Sequence, residues 1–253
     1  MNTRADLTPI RTILFDWGGT LCDISREPAS HVACAQRAAA WCREQDWHVP
    51  AAAAGQLFQL HLQRLTRCGK SPDYLEYDVH NTLADWLEQL RLTPAATSGH
   101  LDRLVGTFWQ GWLGCLDLFD GVLDALGTLS SRGYVLGLLS NVATPPDICD
   151  AELARLGIRQ HLSFAEFSSR TGCRKPHPAA YEAALAAARL TLPDLVPEQI
   201  LFVGDLPEPD VAGPARMGMR TALIGTAEAY PHLPPDLRLA RVADLPHYLP
   251  PRD

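Results

Sequence analysis

Three aspartates, a lysine and a serine–asparagine pair stand out because each follows a short apolar run. Asp16 falls at the end of TILFDW (12–17), just before Gly18-Gly19. Ser140-Asn141 end the run that begins YVLGLL at 134. Asp205 follows ILFVG (200–204), and Asp210 comes five residues later. Lys175 lies in CRKPHP, beyond a weaker run, HLSFAEF (161–167). Apolar runs that stop at Gly or Asp read as buried strands ending in turns. In open α/β sheets, ligands sit outside the carboxyl ends of the strands. A single strand-end Asp is more often a turn or helix cap than a site. Carboxylates, a hydroxyl and an ammonium at four strand ends of one chain point to a shared ligand-handling centre.

The segments between these runs have helical spacing. Residues 121–131, 147–156, 178–190 and 209–217 read as helices, with Pro178 and Pro209 in first-turn positions. A fifth strand is expected at 221–224, and the proline-rich tail reads as a last short strand and helix. Alternating strands and helices imply a parallel sheet covered on both faces, a Rossmann-like α/β core. Residues 24–119 break the alternation and contain no strand candidate. They read as four helices, near 29–46, 50–67, 73–91 and 98–113, punctuated at His48-Val49-Pro50, Gly69-Lys70-Ser71-Pro72 and Thr93-Pro94. The expected organisation is an α/β core of 1–23 and 120–253 with an all-helical domain of 24–119 inserted after the first strand.

Composition narrows the classes further. The chain has 253 residues, 47% hydrophobic and 20% charged, with a net charge of −7. Those proportions exclude a disordered chain, and the acidic balance offers nucleic acid no general attraction. No apolar run reaches the roughly 18–20 residues of a membrane span. The N-terminal stretch lacks an apolar segment with a small-residue cleavage site, so a cytoplasmic protein is expected. Seven cysteines without a C-x-x-C pair read as buried small hydrophobes rather than a disulfide framework or zinc site. Nine histidines without an H-x-x-x-H pair give no transition-metal site, and Phe108, Trp109 and Trp112 read as core of the helical insert.

Four segments carry a family resemblance: FDWGGTLCD (15–23), LLSN (138–141), RKPHPAAYEAAL (174–185) and ILFVGDLPEPDVAGPARMGM (200–219). In this order they resemble the haloacid dehalogenase superfamily of aspartate-nucleophile hydrolases, and the inserted helices resemble its helical cap. The resemblance implies a phosphatase acting on a small phosphorylated metabolite through an aspartyl-phosphate. Asp16 would be the nucleophile, which splits hydrolysis into two steps. Mg²⁺, a hard cation that prefers oxygen, would screen carboxylate from phosphate, held by Asp16, Asp205 and the main-chain carbonyl of Gly18. Ser140, Asn141, Gly19 and Thr20 would contact the phosphoryl group or hold its loop. Lys175 would add a positive charge and orient Asp16. Asp210 would hold a metal-bound water.

One position departs from the family pattern. The usual phosphatase motif is D-x-D-G-T, in which the second Asp protonates the leaving oxygen and later activates water. Here that position is Gly18, which keeps the carbonyl but supplies no acid. General acid–base catalysis is worth roughly 10²–10⁴-fold. Without it, activity is expected to favour good leaving groups such as acyl and aryl phosphates. Three alternatives stay open. DWGGT resembles the DWAGT of phosphonoacetaldehyde hydrolases, which also need a lysine in the cap, and Lys70 is the one lysine there. A 2-haloacid dehalogenase would lack the metal aspartate, whereas Asp205 is present. A silent binding or regulatory protein would not need Asp16, Lys175 and Asp205. Arg26, Arg67 and Lys70 are basic residues of the insert with no motif behind them.

Overall fold

The computed structural model describes residues 7–92, 98–229 and 231–252. The expected break at Thr93-Pro94 and the first six residues lie outside them. The strands are β1 (Thr12–Phe15), β2 (Cys22–Asp23), β3 (Asp117–Leu118), β4 (Val135–Ser140), β5 (Phe164–Phe167), β6 (Ile200–Gly204), β7 (Arg220–Ile224) and β8 (Leu237–Leu239). The helices are α1 (Glu27–Glu44), α2 (Ala53–Gly69), α3 (Val79–Gln89), α4 (Ser98–Trp109), α5 (Val122–Ser131), α6 (Pro146–Arg155), α7 (Ser168–Thr171), α8 (Pro178–Arg189) and α9 (Gly213–Arg216). Six strands form one parallel sheet in the order β5-β4-β1-β6-β7-β8. The five strands expected from the sequence are all present, and the tail adds β8. No helix among the described residues is long and apolar enough to cross a membrane.

Side chains of a strand alternate between its two faces, and both faces here are covered. Ile13, Phe15, Leu136, Leu138, Leu201 and Val203 join a core that continues into α1–α4. Leu14, Leu139, Ile200 and Phe202 pack on the other side with Tyr181, Ala184 and Ala188 of α8. This double burial is why the strands read as near-continuous apolar runs. Register then gathers the strand ends. Phe15 is level with Leu138 and with Val203, so Asp16, Ser140 and Asp205 emerge at the same edge.

The structure departs from the sequence reading in three places. First, residues 117–118, inside the stretch expected to be purely helical, pair antiparallel with β2 as a two-stranded ribbon at the root of the helices. Two residues are too few to show a period. Second, the helix expected from 73 starts only at Val79, where the Asp78 side chain caps it by accepting the His80 N–H at 2.8 Å. Residues 74–76 instead give their backbone to the loop before Lys175. The Arg174 N–H donates to the Tyr74 carbonyl at 2.7 Å and the Glu76 N–H to the Gly172 carbonyl at 2.9 Å. Third, the helix expected over 209–217 is a π-helical turn over Pro207–Ala212 followed by α9. Pro209 and Pro214 each lack the N–H that a regular ladder needs, and the wide turn aims Asp210 inward.

Glu152 of α6 ties the sheet to the end of the helical insert. Its buried carboxylate accepts the Gly114 N–H at 3.1 and 3.2 Å and two bonds from Arg155, which also donates to the Leu116 carbonyl at 2.7 Å. Replacing Glu152 by Ala leaves the Gly114 N–H and the guanidinium without this acceptor. The expected cost is about 2 kcal/mol, read as a lower urea midpoint at unchanged slope. Arg155→Ala should cost at least as much, because it leaves the fully buried Glu152 carboxylate without its cation, whereas the guanidinium, 45% exposed, can be solvated when Glu152 is removed.

Candidate active site

Lys175 is the centre of the strand-end cluster. Its ammonium donates to Asp16 Oδ1 and to Asp210 Oδ1, at 2.8 Å each. All three residues are buried. Each comes from a different segment: Asp16 from the end of β1, Lys175 from the loop before α8, Asp210 from the π-turn after β6. Asn141 pins that loop. Its Oδ1 accepts the Lys175 N–H at 2.7 Å, and its Nδ2 donates to the Lys175 carbonyl at 2.9 Å. Asp210 is fixed on its other oxygen by the Leu206 N–H at 3.0 Å. It packs so closely on Gly204 that a Cβ there would lie 2.3 Å from the Asp210 carboxyl carbon.

Asp205 stands beside this triad. The Thr20 hydroxyl donates to its Oδ1 at 3.2 Å. Gly19 has φ +78°, and a Cβ on it would meet the Asp205 carboxylate at 2.5 Å, so only glycine fits there. Oxygens of Asp16, Asp205 and Asp210 lie within 4.8 Å of one another. An all-oxygen set of this kind suits a hard divalent cation. Electrostatics agree. Burial raises the Asp205 carboxyl above the usual aspartate range, the charge of Asp16 adds to this, and the Thr20 hydroxyl opposes it. Burial likewise raises Asp210, against the pull of Lys175. Burial alone would lower Lys175, but Asp16 and Asp210 outweigh it and hold the ammonium charged.

A cavity of about 190 Å³ opens over this cluster, with Asp16, Gly18, Ser140, Asn141, Lys175 and Asp210 in its wall. Gly19 and Thr20 line a different cavity, on the far side of Asp205. Thr20 therefore positions a carboxylate here, rather than facing the space above Asp16. Gly18 has no left-handed φ, but a Cβ on it would lie 2.7 Å from Ile24 Cγ2. The space where the usual acid would begin is filled by that methyl.

The helical insert closes the cavity. Ile24, Glu27 and Trp112 contribute to its wall, and Trp112 meets Trp17 edge to face at 5.6 Å. Trp109 and Trp112 are buried, as core residues would be, yet both also line an adjoining chamber. Arg174 lines both spaces and is held by bonds of 2.8 and 3.0 Å to the two Glu76 oxygens. The sequence reading gave no role to Glu27 or Arg174. Arg174 had one pointer, its place beside Lys175; Glu27 had none. Arg26 pairs instead with Asp117. Lys70 is exposed at the C-terminal end of α2, away from this cavity wall.

A parallel sheet that brings three aspartates and a lysine to one edge, beneath a helical layer, defines an α/β protein with a carboxylate–lysine centre. A family model for haloacid dehalogenase-like hydrolases matches residues 10–218, and the chain belongs to that family. It is 32% identical over 116 residues to a phosphoserine phosphatase from Thermus thermophilus, covering 45% of this chain and 44% of that one. It is 29% identical over 136 residues to a ribulose-1,5-bisphosphate 5-phosphatase from Halopiger xanaduensis, covering 54% of each. The chain thus spans about half the length of these curated relatives. The fold is similar to that of a 2-haloacid dehalogenase from Pseudomonas syringae, with a TM-score of 0.64 at 22% identity over 94% of this chain and 97% of that one.

Lys175→Met tests the charge balance. It leaves Asp16 and Asp210 buried without their cation, a break that typically costs about 3–5 kcal/mol. Asp210, already raised by burial, then binds a proton more readily in the folded than in the unfolded state. Stability gained from that proton is present at low pH and is lost as pH rises through the folded-state value. The deficit of Lys175→Met relative to the parent is therefore expected to shrink on acidification. Calorimetric melting temperatures of both proteins, in chelator across a pH series, check this.

Proposed function

We propose that the protein is a Mg²⁺-dependent phosphatase that hydrolyses small phosphorylated molecules through a phosphoryl group carried on Asp16. The observation that carries this reading is the Asp16 carboxylate at the cavity wall, 2.8 Å from a buried ammonium and grouped with Asp205 and Asp210. Asp16, Asp205 and the Gly18 carbonyl would hold the cation, with Asp210 beside them. The bound cation would neutralise charge developing on the phosphoryl oxygens.

The chain's own groups do the remaining work. Lys175 holds one Asp16 oxygen and leaves the other to attack phosphorus. Ser140 and the neighbouring backbone amides receive the phosphoryl oxygens. Phosphoryl transfer depends chiefly on such positioning and charge stabilisation. Helices α1–α4 serve as the cap that closes over the substrate and excludes water. The phosphatase names of the curated relatives support this reaction over dehalogenation. The exposed place of Lys70 does not favour carbon–phosphorus cleavage, which needs a lysine in the cavity.

Phosphate release from p-nitrophenyl phosphate and a panel of phosphate esters, with Mg²⁺ and with chelator, tests the proposal. Activity is expected only with the metal. Asp16→Asn should lose turnover by 10³-fold or more, roughly the span that separates a positioned nucleophile from none. Acid-quenched parent should carry phosphate on Asp16. Metal-independent turnover, or a fully active Asp16→Asn, would remove the proposal.

A further inference from the structure

The cavity over Asp16 contains one carboxyl side chain that the reaction above leaves unused. Glu27 opens α1, and its N–H donates to the carbonyl of Ile24 at 2.9 Å. Ile24 is the residue whose methyl fills the space beside Gly18. Glu27 lines the cavity together with Asp16, Gly18 and Lys175. The other two carboxyls in that wall are engaged, since Asp16 and Asp210 both bind Lys175. Arg174 is committed to Glu76 and acts on Glu27 only through space. The Trp112 indole shares that wall and favours the Glu27 anion. At about 190 Å³ the cavity is smaller than the roughly 300–1,000 Å³ of drug-sized ligand sites. Asp16 on the sheet side and Glu27 on the insert side therefore wall the same small space.

The surroundings suit a group that both gives and takes a proton. Burial raises the Glu27 carboxyl above the usual glutamate range, while Trp112 and Arg174 favour its anion, as does its place in the first turn of α1. The titratable and charged groups around it are Arg174 and Lys175 from the loop before α8, Asp16 of β1, Asp210 of the π-turn, Cys115 ahead of β3 and His31 on α1 itself. The net shift is upward, the direction a proton donor requires.

We infer that Glu27 is the proton donor and acceptor that Gly18 cannot be, an inference that rests on the phosphatase reading above. In the first step an Asp16 oxygen bonds to phosphorus and the phosphorus–ester oxygen bond breaks. The departing oxygen keeps the electron pair and takes the Glu27 proton, leaving an alcohol, aspartyl-phosphate and the Glu27 carboxylate. In the second step Glu27 takes a proton from water as the water oxygen bonds to phosphorus. The phosphorus–Asp16 bond breaks with its electrons returning to the carboxylate, and inorganic phosphate departs. Glu27 ends protonated, ready for the next turnover. Alkyl phosphates then become substrates, contrary to the bias toward good leaving groups expected from Gly18 alone.

Glu27→Gln tests the inference, because it keeps the size of the side chain. With glycerol phosphate, kcat/KM should fall by about 10²-fold. With p-nitrophenyl phosphate, whose leaving group needs little protonation, kcat/KM should fall far less. The second step is shared, so kcat should drop for both, with a burst of nitrophenol and accumulating aspartyl-phosphate. The basic limb of the parent's pH profile on glycerol phosphate should vanish in the variant. Glu27→Asp, which keeps the charge but shortens the reach, should show the same pattern with smaller losses, kcat/KM falling more on alkyl than on aryl esters, and serves if Glu27→Gln does not fold. Equal losses of kcat/KM on both substrates, a change in KM alone, or no loss at all would overturn the role of Glu27 while leaving the phosphatase reading intact. A parent that releases phosphate from no ester would overturn both.

Discussion

A lysine that is 4% exposed, its ammonium shared between two carboxylates at 2.8 Å each, is the constraint around which this protein is arranged. Taking a charge out of water costs several kcal/mol, and the cost is recovered only when partners are placed with good geometry. Lys175 therefore needs Asp16 and Asp210 to be in place together. Each condition recruits more of the chain. The parallel register of β1 with β4 and β6 fixes Asp16. The reciprocal hydrogen bonds of Asn141 fix the backbone of Lys175. A π-turn, rather than a regular helix, carries Asp210 over the bare backbone of Gly204. Wide turns of this kind recur at functional sites because they re-aim a side chain that a regular ladder would turn away.

The helical layer is tied to this centre by more than apolar contact. Its core is continuous with one face of the sheet. Residues 74–76 also bond, backbone to backbone, to residues 172–174 of the loop that ends in Lys175. Glu76 then meets Arg174 across that junction, and Ser168 donates to the same carboxylate. A displacement of the helices at this point would pull on the loop that positions the ammonium. The layer that encloses the cavity and the loop that charges it are thus mechanically linked.

Gly18 shows how a missing side chain reshapes its neighbourhood. Ile24 leans into the space a Cβ would occupy and sets the entry of α1. That entry places Glu27 in the cavity wall. The adjoining chamber is walled by His31 and Trp109 and carries a second polar cluster behind it. His61 bonds to His31 at 3.0 Å and to Tyr77 at 2.9 Å, and burial pushes the His61 pKa down to about 3, so this ring stays neutral. The pair is structural packing with its hydrogen bonds satisfied.

The sequence by itself determined the parallel α/β core, the helical insertion after β1, and the residues at the strand ends. Those features are local: an apolar run, the Gly or Asp that stops it, and the proline that opens the next helix are adjacent in the chain, so their spacing is legible. What only the tertiary structure decided is where distant segments meet. The Arg174–Glu76 contact spans 98 residues and the His31–His61 contact 30, and neither leaves a local pattern. The segment before α3 looked helical because its backbone partners lie in the loop before Lys175, far along the chain. The π-turn looked like a regular helix because its widening answers to a lysine more than thirty residues away. Glu27 carried no mark at all: an acidic residue in a helix's first turn is ordinary in sequence, and only the closing of α1 over Asp16 makes it a wall of the cavity.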